Sequence, residues 1–178
     1  MFRSKTSISI LIEMTLLFIT TGNNHCLNFL KKQKNEYIIH VLDLTKDIIN
    51  NKKDLELQIR NINPDLILVY RCPYILSKNI YSSAQYGAYN IHPSLLPKYA
   101  GLNPWIEIFE NKERYSGVTL HKITDEIDSG EFIYQESFRI EENDTLDTVR
   151  HHADIIAAKL VKAFWESYIP SLLSNNKV

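Results

Sequence analysis

The sequence predicts an α/β domain built on an open, mostly parallel sheet with helices on both faces. Apolar runs of strand length alternate with helix-length stretches along most of the chain, the pattern left by repeated strand–helix–strand units. One of those runs, "LILVY" at 66–70, is continuously apolar, as a strand covered on both faces requires. No internal repeat, low-complexity segment or Gly/Pro/Ser-rich linker interrupts the pattern, so residues 1–178 read as one domain.

Taken in order, the first 22 residues, "MFRSKTSISILIEMTLLFITTG", place two basic residues before an apolar run. That resembles a secretory leader, but Glu13 sits inside the run and no small-residue cleavage site follows. The run is also too short to span a bilayer. With Ser4 as a cap, Ile8, Leu11, Ile12 and Thr15 fall at helical spacing. Residues 4–14 therefore predict a helix, and "TLLFIT" at 15–20 a short buried strand. The rival reading makes "SISILIEM" a strand, but its apolar residues do not alternate.

"NHCLNFLKKQKN" predicts a helix, "YIIHVLDL" a strand and "KKDLELQIRNI" a polar helix. "NPD" is a turn signal before the strand at 66–70. "GAYNI" is a short strand, followed by a helix from about Asn103 to Phe109. "GVTLHKI" and "EFIYQESF" are strands flanking the loop "TDEIDSG". A long helix covers residues 144–169, with Leu146, Val149, Ile156, Leu160 and Phe164 along one stripe.

Charge narrows the function classes. Twenty basic residues nearly cancel 21 acidic ones, so no overall field points to nucleic acid or a membrane surface. Lys31, Lys32 and Lys34 read as a solvated helix face. Cys26 and Cys72 stand far apart, outside any paired metal spacing. A reducing, cytoplasmic setting without disulfides or a metal is the expectation.

Chemistry concentrates where "YNIHPSLLPKYAG" begins. In an open parallel sheet ligands gather at the carboxyl ends of strands, and Asn90 and His92 occupy such an end. A neutral imidazole can take or give a proton near neutral pH. A carboxylate such as Asp128 would orient the ring and favour its charged form. An asparagine amide can donate to an oxygen gaining negative charge. Together they suit acyl transfer to an amine. The same residues also suit a histidine capping the loop and an aspartate closing the "DSG" turn, and on their own they leave both open. His151 and His152 are adjacent on a helix and point apart, a poor metal pair. His121, in an alternating strand, reads as a packed or surface residue, and His25 and His40 carry no motif.

"NIHPSLLPKYAG", followed after a short helix by "GVTLHKITDEIDSGEFI", resembles the catalytic domain of the 10-formyltetrahydrofolate-dependent formyltransferases. That family includes glycinamide ribonucleotide, methionyl-tRNA and sugar N-formyltransferases. The match is strongest over residues 87–134 and extends back through "NPDLILVYRCPYILSK". The resemblance implies a Rossmann-like fold and a catalytic triad at Asn90, His92 and Asp128. Asn90 and His92 would contact the formyl oxygen and the incoming amine, and Asp128 would orient or charge the histidine. It further implies 10-formyltetrahydrofolate as co-substrate, its pterin held between residues 70–77 and 122–128. Those segments carry Arg71, Cys72, Pro73, Tyr74, Ile75 and Leu76 on one side, and Ile123, Thr124, Asp125, Glu126 and Ile127 on the other. Tyr74, Ile75 and Leu76 would form an apolar wall for the flat ring.

The family's chain opens with a strand in the middle of the sheet, then a helix, then a second strand. Against that order residues 4–14 match the first helix and 15–20 the second strand, so the resemblance implies a domain shortened at its start and lacking the first strand. It also leaves no room for the C-terminal tRNA-binding domain of methionyl-tRNA formyltransferases. Gly22 is the only glycine before residue 87, so the glycine-rich phosphate loop of glycinamide ribonucleotide formyltransferases is absent. The expected acceptor is a small primary amine, an amino sugar nucleotide first, with no nucleic-acid or membrane partner. Glycinamide ribonucleotide or methionyl-tRNA formylation, a non-catalytic folate-binding member, and a hydrolase releasing formate are the alternatives.

Overall fold

The computed structural model describes residues 14–22, 24–33, 37–47 and 49–175. Six strands form one sheet in the order β2-β1-β3-β4-β5-β6: β1 (Thr15–Thr20), β2 (Ile38–Asp43), β3 (Leu66–Tyr70), β4 (Ala88–His92), β5 (Tyr115–Lys122) and β6 (Phe132–Arg139). The four strands from β2 to β4 run parallel, and β5 and β6 add antiparallel to that edge. The helices are α1 (Asn24–Leu30), α2 (Lys52–Ile62), α3 (Lys78–Tyr81), α4 (Pro104–Glu110), α5 (Leu146–Ala163) and α6 (Ile169–Asn175). Among the described residues no helix is long and apolar enough to cross a membrane.

The continuous apolar strands divide their side chains between two cores, as period-two geometry dictates. Leu16, Phe18, Leu66 and Leu68 face α1 and α5, where Leu27, Leu30, Val149, Ala153, Ile156 and Leu160 are buried. Leu17, Ile19, Ile67 and Val69 face the other way, onto Leu55 and Ile59 of α2 and Ile80 of α3. The helix ends follow local chemistry. Asn51 caps α2 by accepting from the amides of Lys53 and Asp54, and Asn63 ends it in the left-handed region. Thr145 and Thr148 satisfy each other's backbone amides at the start of α5.

Two sequence expectations change. The strand at 15–20 is not a second strand beside an empty place. It pairs in parallel with β2 on one side and β3 on the other, then passes through α1 to β2, so it fills the mid-sheet position itself. The expected helix over 4–14 falls, apart from Met14, outside the described residues. The long helix at the C-terminal end is also not uniform. It widens into a π-helical turn at Phe164–Tyr168, where the Ile169 amide donates back to the Phe164 carbonyl. Pro170, just beyond, has no N–H for the carbonyl four residues back, a defect that a wide turn accommodates.

Candidate active site

β4 and β5 bring the polar residues together. Asn90 and His92 are two apart on β4 and share a face, while antiparallel register sets Asn90 directly opposite His121 of β5. The connection from β5 to β6 then returns Asp128 over this corner. Asp128 holds φ of +51°, a left-handed geometry that aspartate tolerates better than most residues. Gly130 lies so close to the strand that an added Cβ would stand 1.8 Å from the Lys122 carbonyl oxygen. The "DSG" pattern therefore combines a residue able to turn the backbone with one that lets the loop fold back.

The Asp128 carboxylate is the hub. Its Oδ2 accepts from the Gly101 amide at 2.8 Å and lies 3.3 Å from His92 Nδ1. Its Oδ1 accepts from Asn90 Nδ2 at 3.3 Å and lies 3.4 Å from His121 Nε2. His121 Nε2 is also 3.3 Å from Asn90 Nδ2. Tautomers follow from the carbonyl partners, because a carbonyl only accepts. His92 Nε2 donates to the Tyr99 carbonyl at 2.8 Å, so a neutral His92 turns the lone pair of Nδ1 toward Asp128. His121 Nδ1 donates to the Lys122 carbonyl at 3.1 Å, which leaves its Nε2 free to accept from Asn90.

Burial and charge oppose each other here. Burial lowers the affinity of His92 for a proton and His121 adds to this, against the pull of Asp128 and the Tyr99 carbonyl; the net shift is downward. Burial pushes the Asp128 carboxyl up, but in the acid range where it titrates both rings are protonated, and the His121 hydrogen bond, the His92 charge and the Gly101 amide together hold it below the usual range. A neutral imidazole thus faces an ionised carboxylate, and a proton arriving at Nδ1 would turn that contact into an ion pair. Such a pair can take up a proton from a substrate nitrogen.

A cleft of about 440 Å³ opens beside this cluster. Asn90, His121 and Asp128 line it at one end. Cys72, Tyr74, Ile75 and Leu76 line one side, and Ile123, Thr124, Asp125, Glu126 and Ile127 the other. Three expected residues do not line it. Arg71 pairs with Asp154 of α5 at 3.4 Å, and Pro73 is outside the lining. His92 sits behind Asp128, 4% exposed, and meets the cleft through that carboxylate. His121 is the residue that the sequence reading passed over. Its strand alternates like any other, and only the β4–β5 register puts it opposite Asn90.

The formyl transferase family's sequence model matches residues 13–163, which includes β1. A methionyl-tRNA formyltransferase from Thermotoga neapolitana is 36% identical over 118 residues, covering 66% of this chain and 37% of the relative. This chain thus spans little more than a third of that protein's length. The crystal structure of the formyltransferase PseJ from Anoxybacillus kamchatkensis, in complex with UDP-4,6-dideoxy-4-formamido-L-AltNAc and tetrahydrofolate, superposes with a TM-score of 0.65 at 26% identity. It covers 90% of this chain and 77% of that one. A formyltetrahydrofolate deformylase from Pseudomonas syringae gives a TM-score of 0.72 at 17% identity over 89% of this chain and 62% of that one, a likeness of fold. With that family model matching most of its length, residues 13–163, the chain belongs to the formyl transferase family.

Proposed function

We propose that the chain moves a formyl group from 10-formyltetrahydrofolate to the primary amine of a small acceptor. The observation that carries this reading is the convergence of Asn90, His121 and Asp128 at one end of a cleft with an apolar wall, with His92 buried directly behind Asp128. The cleft suits the donor: its volume of about 440 Å³ lies within the usual range for small-molecule sites. Val69, Leu76 and Ile123 offer a flat ring an apolar wall close to the polar cluster. When bound, the donor supplies a formyl carbon on N10, and the transfer replaces that C–N bond with one to the acceptor amine.

The chain's own residues divide the remaining work. Asn90 Nδ2 donates to the formyl oxygen as it gains negative charge, at the cost of one of its present contacts with Asp128 or His121. Asp128 accepts the proton that the attacking amine loses, and His92 Nδ1 stands 3.3 Å behind it to share that proton. The tetrahydrofolate nitrogen that leaves takes up a proton in turn, so charge balances over the cycle. His121 holds the Asn90 amide in place through Nε2.

An amino sugar nucleotide is the acceptor we favour. The PseJ structure, crystallised with a formamido sugar nucleotide, covers most of this chain at 26% identity. Methionyl-tRNA formylation is the second reading, favoured by the 36%-identical Thermotoga relative. The test is an acceptor screen with 10-formyltetrahydrofolate, following release of tetrahydrofolate and of formate. Tetrahydrofolate release that needs an amine supports transfer. Equal release of formate without any amine makes the site a deformylase, and no turnover with any acceptor overturns the assignment.

A further inference from the structure

A second cleft, of about 400 Å³, opens at the amino end of β4, away from the Asn90 cluster. Its walls are rich in phenol rings: Tyr81, Tyr86, Tyr89 and Tyr168 line it, with Gln85 and Lys122 as the long polar side chains. The rings are held firmly. Tyr89 is 1% exposed, and its hydroxyl donates to the Tyr86 carbonyl at 3.1 Å and lies 3.4 Å from the Tyr168 hydroxyl. Tyr168 comes from the π-helical turn and stacks on Phe164 with centroids 5.1 Å apart. The wide turn thus aims a braced ring at the cleft, a use to which such turns are often put. Gly87 keeps the floor open. Its φ is +88°, and an added Cβ would touch the Tyr89 ring at 3.6 Å and the Lys122 stem at 3.7 Å.

Lys122 supplies the chemistry. Its side chain is exposed, lies at the cleft, and forms no ion pair among the described residues. An ammonium at a cleft that four tyrosines line suits a ligand with two features: a flat apolar ring that packs on phenols, and a carboxylate for the cation. We propose that this second cleft binds a small aromatic carboxylate, its ring between Tyr86 and Tyr168 and its charge on Lys122. One group works against the anion. The Glu131 carboxylate is near enough to act on the Tyr89 hydroxyl, so it weakens binding without occupying the lysine.

The test needs no folate, so its failure would leave the formyl-transfer reading intact. The chain is titrated separately with benzoate, benzyl alcohol and acetate, following NMR signals of Tyr86, Tyr89 and Tyr168, with Tyr74 reporting on the first cleft. Benzoate should shift the first three, and neither the neutral ring nor the ring-free anion should match it. Lys122→Met, at an exposed position, should weaken benzoate by about tenfold, the loss of one charge-assisted contact. Lys122→Arg should retain most of the affinity, and Glu131→Gln should tighten it. Absence of any shift with millimolar benzoate, equal binding of benzyl alcohol or acetate, or unchanged affinity in Lys122→Met would each overturn the proposal.

Discussion

The two ends of the first cleft are built in opposite ways. At the polar end Asn90, His92, His121 and Asp128 hold one another through buried or half-buried side chains, and each leans on at least one of the others. At the other end Ile75 and Ile127 stand 55% and 53% exposed, and Asp125 is held by Lys78 and Tyr81 of α3 at the surface. Removing one partner from a buried network strands the rest, whereas an exposed contact is readily replaced by water. The polar end should therefore be brittle and the exposed wall forgiving.

The largest expected effect tests the brittle end. Asp128→Asn replaces one accepting oxygen with an NH2 group, which turns its N–H bonds toward either the Asn90 amide or the Gly101 amide. It also removes the charge that His92 faces. Turnover in the tetrahydrofolate-release assay should fall about 10²- to 10⁴-fold, the usual range for a positioned acid–base group. The donor KM should move far less. A variant that keeps its turnover would show that the cluster is structural and dissolve the contrast.

The same contrast explains what the sequence disclosed. Asn90 and His92 were legible because a two-residue spacing on a strand fixes a shared face, and Asp128 because of its place in a specific motif. The alternation of Leu16 and Phe18 against Leu17 and Ile19 likewise reports a strand covered on both sides. His121 was not legible, since its partnership with Asn90 depends on pairing across two strands far apart in the chain. Arg71 follows β3 directly, yet its positive φ of +58° carries it away to Asp154, and no local pattern announces that turn. The place of β1 was misjudged because strand order is a property of the whole sheet.

A smaller effect concerns pH. Burial and neighbouring groups hold His92 below its ordinary value of 6.5, so the unfolded chain binds this proton more readily than the folded one. His92 therefore contributes stability that is present above about pH 6.5 and is lost as pH falls through its depressed folded value. Asp128, held below its ordinary 3.8, contributes in the same direction at more acidic pH. Urea midpoints should decline from neutral toward pH 5, and His92→Gln should flatten that decline. A midpoint that rises on acidification would contradict the assigned directions.

The smallest effect belongs to the exposed end. Lys78 and Tyr81 are three apart on α3 and so share a face, and both reach Asp125, which lies three residues before Asp128 on the same loop. Hydrogen bonds from Lys78 and then Tyr81 hold the Asp125 carboxyl below its usual range. The Lys78 and Asp125 side chains are 68% and 64% exposed, so water and salt screen their attraction. The link can restrain the loop that lines the cleft without governing the chemistry beside it. Asp125→Asn should then raise the donor KM only a few-fold and leave kcat near that of the parent. Because the pair is a screened charge contact, the difference between parent and variant should shrink as salt is raised, and Lys78→Met should behave alike. A kcat loss on the scale of Asp128→Asn would mean that this surface clasp sets the position of Asp128 itself, and the two ends of the cleft would have to be treated as one unit.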